Sequence, residues 1–277
     1  MQIYRAVKTV LKNRIAVTAL VFLGVVSVVS IIGPLLSEYN YYAQDLNNSF
    51  LPPFRGKHFF GTDNFGRDLF IRVCEGAKIS LTIGIAAAMI QTFIGVLYGC
   101  TAGITGGIVD EVLMRVVDMI HSIPNLIIVI LLTVFMGRSE MTIIIALSIT
   151  DWTAMARVMR GQTLLLREME FVQGAKVLGI GRFQIILRHI IPNCMGPIIV
   201  NLMLSIPAAI FSEAFLSFLG LGIEVPKASW GTLASEGFVY VSSYPWMIIV
   251  PLSFIAVTMI SFYMLGDAIK DALDSIA

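Results

Sequence analysis

Long apolar runs alternate with short polar interruptions along the whole chain, and the runs have membrane-crossing length. Residues 15–36 carry no charge and are long enough, as a helix, to cross a hydrocarbon layer of about 30 Å. Residues 79–101, 119–137, 141–155, 195–221 and 245–265 repeat the pattern, so an all-α polytopic membrane protein with six transmembrane helices is expected. Gly99, Gly103, Gly106 and Gly107 are read as the exit of the second run, because continued helix is costly there. Pro124 stands near the start of the third run, and Arg138 and Glu140 mark a tight turn before the fourth. The expected division is an amino end (1–14), a first helix (15–36), an extracytoplasmic loop with an interfacial amphipathic helix over 68–78 (37–78), and a five-helix core (79–277).

The core contains one long polar loop, 157–193, between spans four and five. In a chain of which only 13% is charged, residues 167–188 alone hold Arg167, Glu168, Glu170, Lys176, Arg182 and Arg188. The first half has helical period, with Phe171, Ala175 and Leu178 on one face and two acids at the end where the helix dipole favours them. Gly179 and Gly181 are placed to stop it. Gly174 and Ala175 form a small-residue patch that would let another backbone come close; the alternative is a helix packed on its own span ends.

Composition supports the membrane reading: the chain is 57% hydrophobic, more than a soluble core of 277 residues requires. A formal net charge of +1 gives no basic surface for nucleic acid. Most bases fall on the amino end, on the loops after spans two and four and on the tail, which places both termini in the cytoplasm. Arg55, Lys57, Arg67, Arg72 and Lys78 in the first external segment count against that orientation. No small-residue cleavage pattern closes residues 15–36, so the first helix is expected to be retained.

Cys74, Cys100 and Cys194 are far apart and share no metal-ligand spacing with His58, His121 or His189, so neither a disulfide framework nor a metal site is expected. Asp110, Glu111, Arg115 and Asp118 read as a self-paired helix end. Asp151 and Glu213 fall inside spans, where an ionisable group is costly; they are candidates for a pathway role or for buried structural bonding. There is no GxxxxGK[ST] phosphate loop, HExxH or GxSxG motif, so no enzymatic activity and no cofactor are expected.

Several of these stretches resemble a known family. The loop at Gln173, Gly174, Ala175, Gly179 and His189–Pro192 keeps the spacing of the cytoplasmic EAA loop of ABC importer permeases, with Gln173 at the acid's position, Gly174 at the first alanine's and His189 at an isoleucine's. Residues 61–68, GTDNFGRD, resemble the GTDxxGRD signature of the C-type subunit of peptide and nickel importers. Residues 217–231 resemble its SFLGLGxxxPxxSWG signature, and residues 266–274 its closing GDxLRDxLD.

The resemblance implies a type I ABC importer permease in the cytoplasmic (inner) membrane, taking up oligopeptides or dipeptides. It implies a homologous B-type permease subunit, two cytoplasmic ATPase subunits that hydrolyse the ATP, and an extracytoplasmic solute-binding protein. It also implies a coupling helix docked on an ATPase, here carried by Glu170, Phe171, Val172, Gln173, Gly174, Ala175, Leu178 and Gly179. Nickel is the alternative substrate, and a proton-coupled secondary transporter using Asp151 or Glu213 is the alternative from another class.

Overall fold

The computed structural model of the chain describes residues 8–275, so Arg5 and the rest of 1–7, with 276–277, lie outside the described residues. Among the described residues there is no strand, only two isolated bridges. The first helix, α1 (Arg14–Leu36), starts where the Asn13 side chain accepts from the backbone N–H groups of Ile15 and Ala16, an N-cap. Its 23 residues give about 35 Å of length.

The second helix, α2 (Leu69–Thr105), is 37 residues long and unbroken. Residues 68–78 and 79–101, read as an interfacial helix and a separate span, are therefore one rod capped by Asp68. Gly99 and Gly103, read as the exit of a span, lie inside it. They are packing positions: a Cβ on Gly99 would sit 2.2 Å from the Ala156 carbonyl oxygen, and one on Gly103 would sit 2.7 Å from Thr163 Cβ. Small residues at four-residue spacing let two helix backbones approach, which offsets their low helix propensity. Only Gly106, at φ +67°, marks the true end.

The third expected span is broken. Helix α3 (Gly107–His121) and helix α4 (Asn125–Met136) meet at 77°. Pro124 disfavours helix at the residue before it, and α4 alone, 12 residues or about 18 Å, is too short to cross. The described residues therefore hold five helices with span character, or six if the bent pair is one span. Helix α5 (Glu140–Leu166) returns beside α4 and packs along α2. A short helix, α6 (Glu170–Val177), follows, then a helical stretch whose middle turn, Ile186–Ile190, is π-helical. Helix α7 (Met195–Leu216), helix α8 (Trp230–Phe238) and helix α9 (Trp246–Asp274) complete the chain.

The start of α1 packs on the end of α9 through Ala16, Ala19, Leu265, Ala268 and Ala272. Leu273 of α9 also lies beside Gly196 of α7, whose neighbours Cys194 and Ile198 share a core with α6. Both ends of the described chain and α6 thus occupy one end of the bundle.

Candidate functional site

Helix α6 is fixed at both ends by local bonding. At its start, the Gln173 amide donates to the Arg167 carbonyl at the end of α5 (2.8 Å), while Arg167 Nη1 reaches the Gly103 carbonyl of α2 (3.1 Å). An acid at position 173 has no proton to give that carbonyl; glutamine does. At its end, Gly179 takes φ +76°, its N–H donates to the Lys176 carbonyl, and the Ile180 N–H donates to the Ala175 carbonyl. That pair of bonds is a Schellman motif, and it is why the helix stops at the glycine expected to stop it.

The face that α6 turns inward differs from the one read in the sequence. Val172 (0% exposed) and Ala175 pack against Val96, Cys100 and Ile104 of α2 and Met155 and Met159 of α5. Phe171 (44%), Val177 (87%) and Leu178 (80%) point outward, around a Gly174 with nothing within 4 Å of an added Cβ. The expected 171/175/178 face is thus split, and Ala175 is a core position rather than part of an open small-residue patch. What remains outside is a second apolar face at positions i, i+3, i+6 and i+7 that the described residues leave largely open, only the Phe171 ring lying near a neighbour, His189, at 6.3 Å. Glu170, in the first turn, is exposed at its edge. Beside it runs a groove lined by Arg167, Lys176 and Arg182, with Glu168 as its acid.

At the opposite end of the bundle two of the other three signatures meet. Asp63 accepts from the backbone N–H groups of Phe65 and Arg67 and pairs with Arg67 (2.6 Å) and Arg72 (2.7 Å). Both arginines also reach Glu236 of α8. Gly61 and Gly66 have φ of +78° and +71°, and a Cβ on Gly66 would sit 1.8 Å from the Asp45 carbonyl oxygen. Asp68 caps α2 and binds His58 Nδ1 (2.8 Å). Trp230, fully buried, donates its indole N–H to the Val73 carbonyl (3.1 Å). Sequence reading missed Arg72 and Glu236, whose partners lie more than 160 positions apart.

The two acids within spans separate. Glu213 is 0% exposed and accepts from Ser80 (2.9 Å) and Ser217 (2.7 Å), with Ser229 bonded to Ser217 behind it. Asp151 is half-buried; its Oδ1 accepts from the Asn125 amide (2.7 Å) and from Thr150 (3.1 Å). Two of the three acids of α3 pair across to α5 rather than with Arg115: Asp110 binds Arg160 through two bonds and Asp118 binds Arg157 (3.0 Å). Outside the spans, the hydrogen bond from Lys227 to Glu140 (2.8 Å) raises the lysine pKa. Cys74, Cys100 and Cys194 are free and buried, and among the described residues no three His, Cys, Asp or Glu side chains gather to hold a metal.

Residues 80–275 match the family model described as binding-protein-dependent transport system inner membrane component, and residues 2–53 match that of the N-terminal TM domain of oligopeptide transport permease C. The chain is 44% identical to the oligopeptide transport system permease protein OppC of Bacillus subtilis, over 95% of its own length and 86% of that protein's. It is 46% identical to the dipeptide transport system permease protein DppC of the same organism, covering 95% and 82%. A chain of the MetNI methionine ABC transporter shares its fold, with a TM-score of 0.59 at 16% identity over 74% of this chain and 96% of that one.

Proposed function

The chain belongs to the binding-protein-dependent transport system inner membrane components, and from that premise we propose that its cargo is a short peptide and that α6 is where the motor engages it. As a family member it is a multi-pass inner-membrane permease subunit of an ABC importer. It is non-catalytic; ATP is hydrolysed on a separate subunit, and the family implies a second permease subunit beside this one. The peptide assignment is supported by oligopeptide and dipeptide relatives at 44% and 46% identity, and it is favoured over nickel.

The observation that carries the coupling role is the apolar outer face of α6. Phe171, Val177 and Leu178 leave apolar surface in water on a segment whose other side packs into the core between α2 and α5, and an exposed patch of this kind marks a contact with another protein. Val172 and Ala175 are the other half of the same device. They fasten α6 to α2 and α5, so a force on the outer face reaches the spans. Glu170, Gln173, Gly174 and Gly179 set the helix's edge, anchor, opening and stop.

In this reading the partner permease is the homologous B-type subunit, two ATPases lie in the cytoplasm, and a solute-binding protein delivers peptide from outside. Residues 37–68, the start of α2 and the loop before α8 form the receiving face, and residues 167–193, which follow α5, lie in the cytoplasm with both termini. The test is assembly and uptake together. The complete importer is expected to accumulate peptides from a labelled mixture of di- to pentapeptides with ATP, and Leu178→Asp is expected to release the ATPases while leaving this chain in the membrane. ATPases still bound to that variant, or an importer that hydrolyses ATP without taking up peptide, contradicts the coupling or the cargo respectively.

A further inference from the structure

The break between α3 and α4 stands where a membrane protein can least tolerate one. Asp151 is 11 residues into α5, roughly 17 Å along it, and so about halfway across a layer of roughly 30 Å. Its hydrogen bond to Asn125 (2.7 Å) puts the first residue of α4 at that same depth. The segment from His121 to Ile127 is exposed on the surface of this chain. Non-helical backbone at such depth is tolerated when protein buries it or when it lines a water-filled cavity, and is not found facing lipid.

Asp151 itself is half satisfied. Oδ1 takes the bonds from Asn125 and Thr150; Oδ2 has no partner among the described residues. No cation among the described residues pairs with it, since Arg157, the next base along α5, is held by Asp118 at 3.0 Å. Glu213 shows the contrast: it binds serines through both oxygens and sits in a closed interior. A carboxylate left open and unneutralised in a span is a site for a positive group from outside the chain.

Resting on the peptide reading above, we infer that the α3–α4 break and Asp151 form a station in the translocation pathway that takes the protonated amino group of the passing peptide. Asn125 holds one carboxylate oxygen so that the other faces the pathway. The ammonium donates to that oxygen, and the contact is given up as the peptide moves on, so no bond is made or broken. The station neutralises a charge that would otherwise cross apolar wall unpaired.

The test uses the complete importer reconstituted in vesicles. Asp151→Asn keeps an acceptor for Asn125 and removes the charge; its uptake of a defined mixture of di- to pentapeptides is expected to fall by about tenfold or more, the worth of a hydrogen bond to a charged group. Its assembly with the ATPases and the partner permease stays, and Asp151→Glu recovers much of the uptake. Asn125→Cys is expected to react with a water-soluble thiol reagent in the assembled complex, against a background of three buried native cysteines. Uptake by Asp151→Asn within twofold of the native rate, or a cysteine at 125 that stays unreactive because the partner permease covers the break, overturns the inference. An unmodified importer that hydrolyses ATP and takes up no peptide overturns the cargo assignment instead.

Discussion

The two ends of this molecule solve opposite problems. At one, the segment before α2 is locked to α2 and α8 by Asp63, Arg67, Arg72 and Glu236, with Gly61 and Gly66 left-handed and Trp230 fully buried, and nearly every charge finds its partner inside the chain. At the other, α6 is anchored along one side and presents bare Phe171, Val177 and Leu178 on the other. Both regions carry family signatures, yet one signature encodes a closed structure and the other an unfinished one. A signature marks a constrained place; whether the constraint lies within the chain or in a partner is read from which groups are left unsatisfied.

The comparison is broken most severely by Arg72→Met. It leaves Asp63 buried with fewer counter-charges, a change that costs roughly 3–5 kcal/mol when a buried pair loses one member. The expected result is loss of the protein from the membrane fraction, measured by quantitative immunoblot. Next comes Gly99→Val, which drives a Cβ into the Ala156 carbonyl and separates α2 from α5; overpacking of this kind costs about 1–3 kcal/mol. A lowered thermal midpoint of the purified complex in detergent is the expected readout, and Ala175→Arg behaves the same way because that side chain is core.

Leu178→Asp sharpens the comparison from the other side. It leaves the fold's thermal midpoint unchanged and weakens ATPase binding by about 1.5–3 kcal/mol, the value of one buried large apolar side chain. Titration of the ATPase onto detergent-solubilised permease measures it. Gln173→Glu has a smaller expected effect, about 1 kcal/mol, because it removes one hydrogen bond to the Arg167 carbonyl. Glu140→Gln is the control: its exposed pair with Lys227 contributes about 0–1 kcal/mol and neither readout is expected to move.

The spans were legible because runs of uncharged residues need no tertiary information, and the end of α6 was legible because Gly179 is punctuation that acts locally. The rest depended on neighbours. Gly99 and Gly103 look like breakers until α5 is laid beside them, when they become the reason two helices touch. Pro124 is compatible with a continuous span, and the 77° turn found there depends on surroundings that no window of sequence contains. The inward face of α6 was misread by a rotation, since Phe171, Ala175 and Leu178 share a period with Val172 and Ala175 and only contact chooses between them. Arg72 and Glu236 could not be paired from positions so far apart.

The central claim is that a separate ATPase grips the outer face of α6. Its most direct measurement is thiol protection at Leu178→Cys in inverted membrane vesicles, where the three native cysteines are buried. A membrane-impermeant reagent is expected to label position 178 rapidly when the ATPases are absent and much more slowly once they are bound. Equal labelling in both, or labelling only from the outer side of intact cells, contradicts the account.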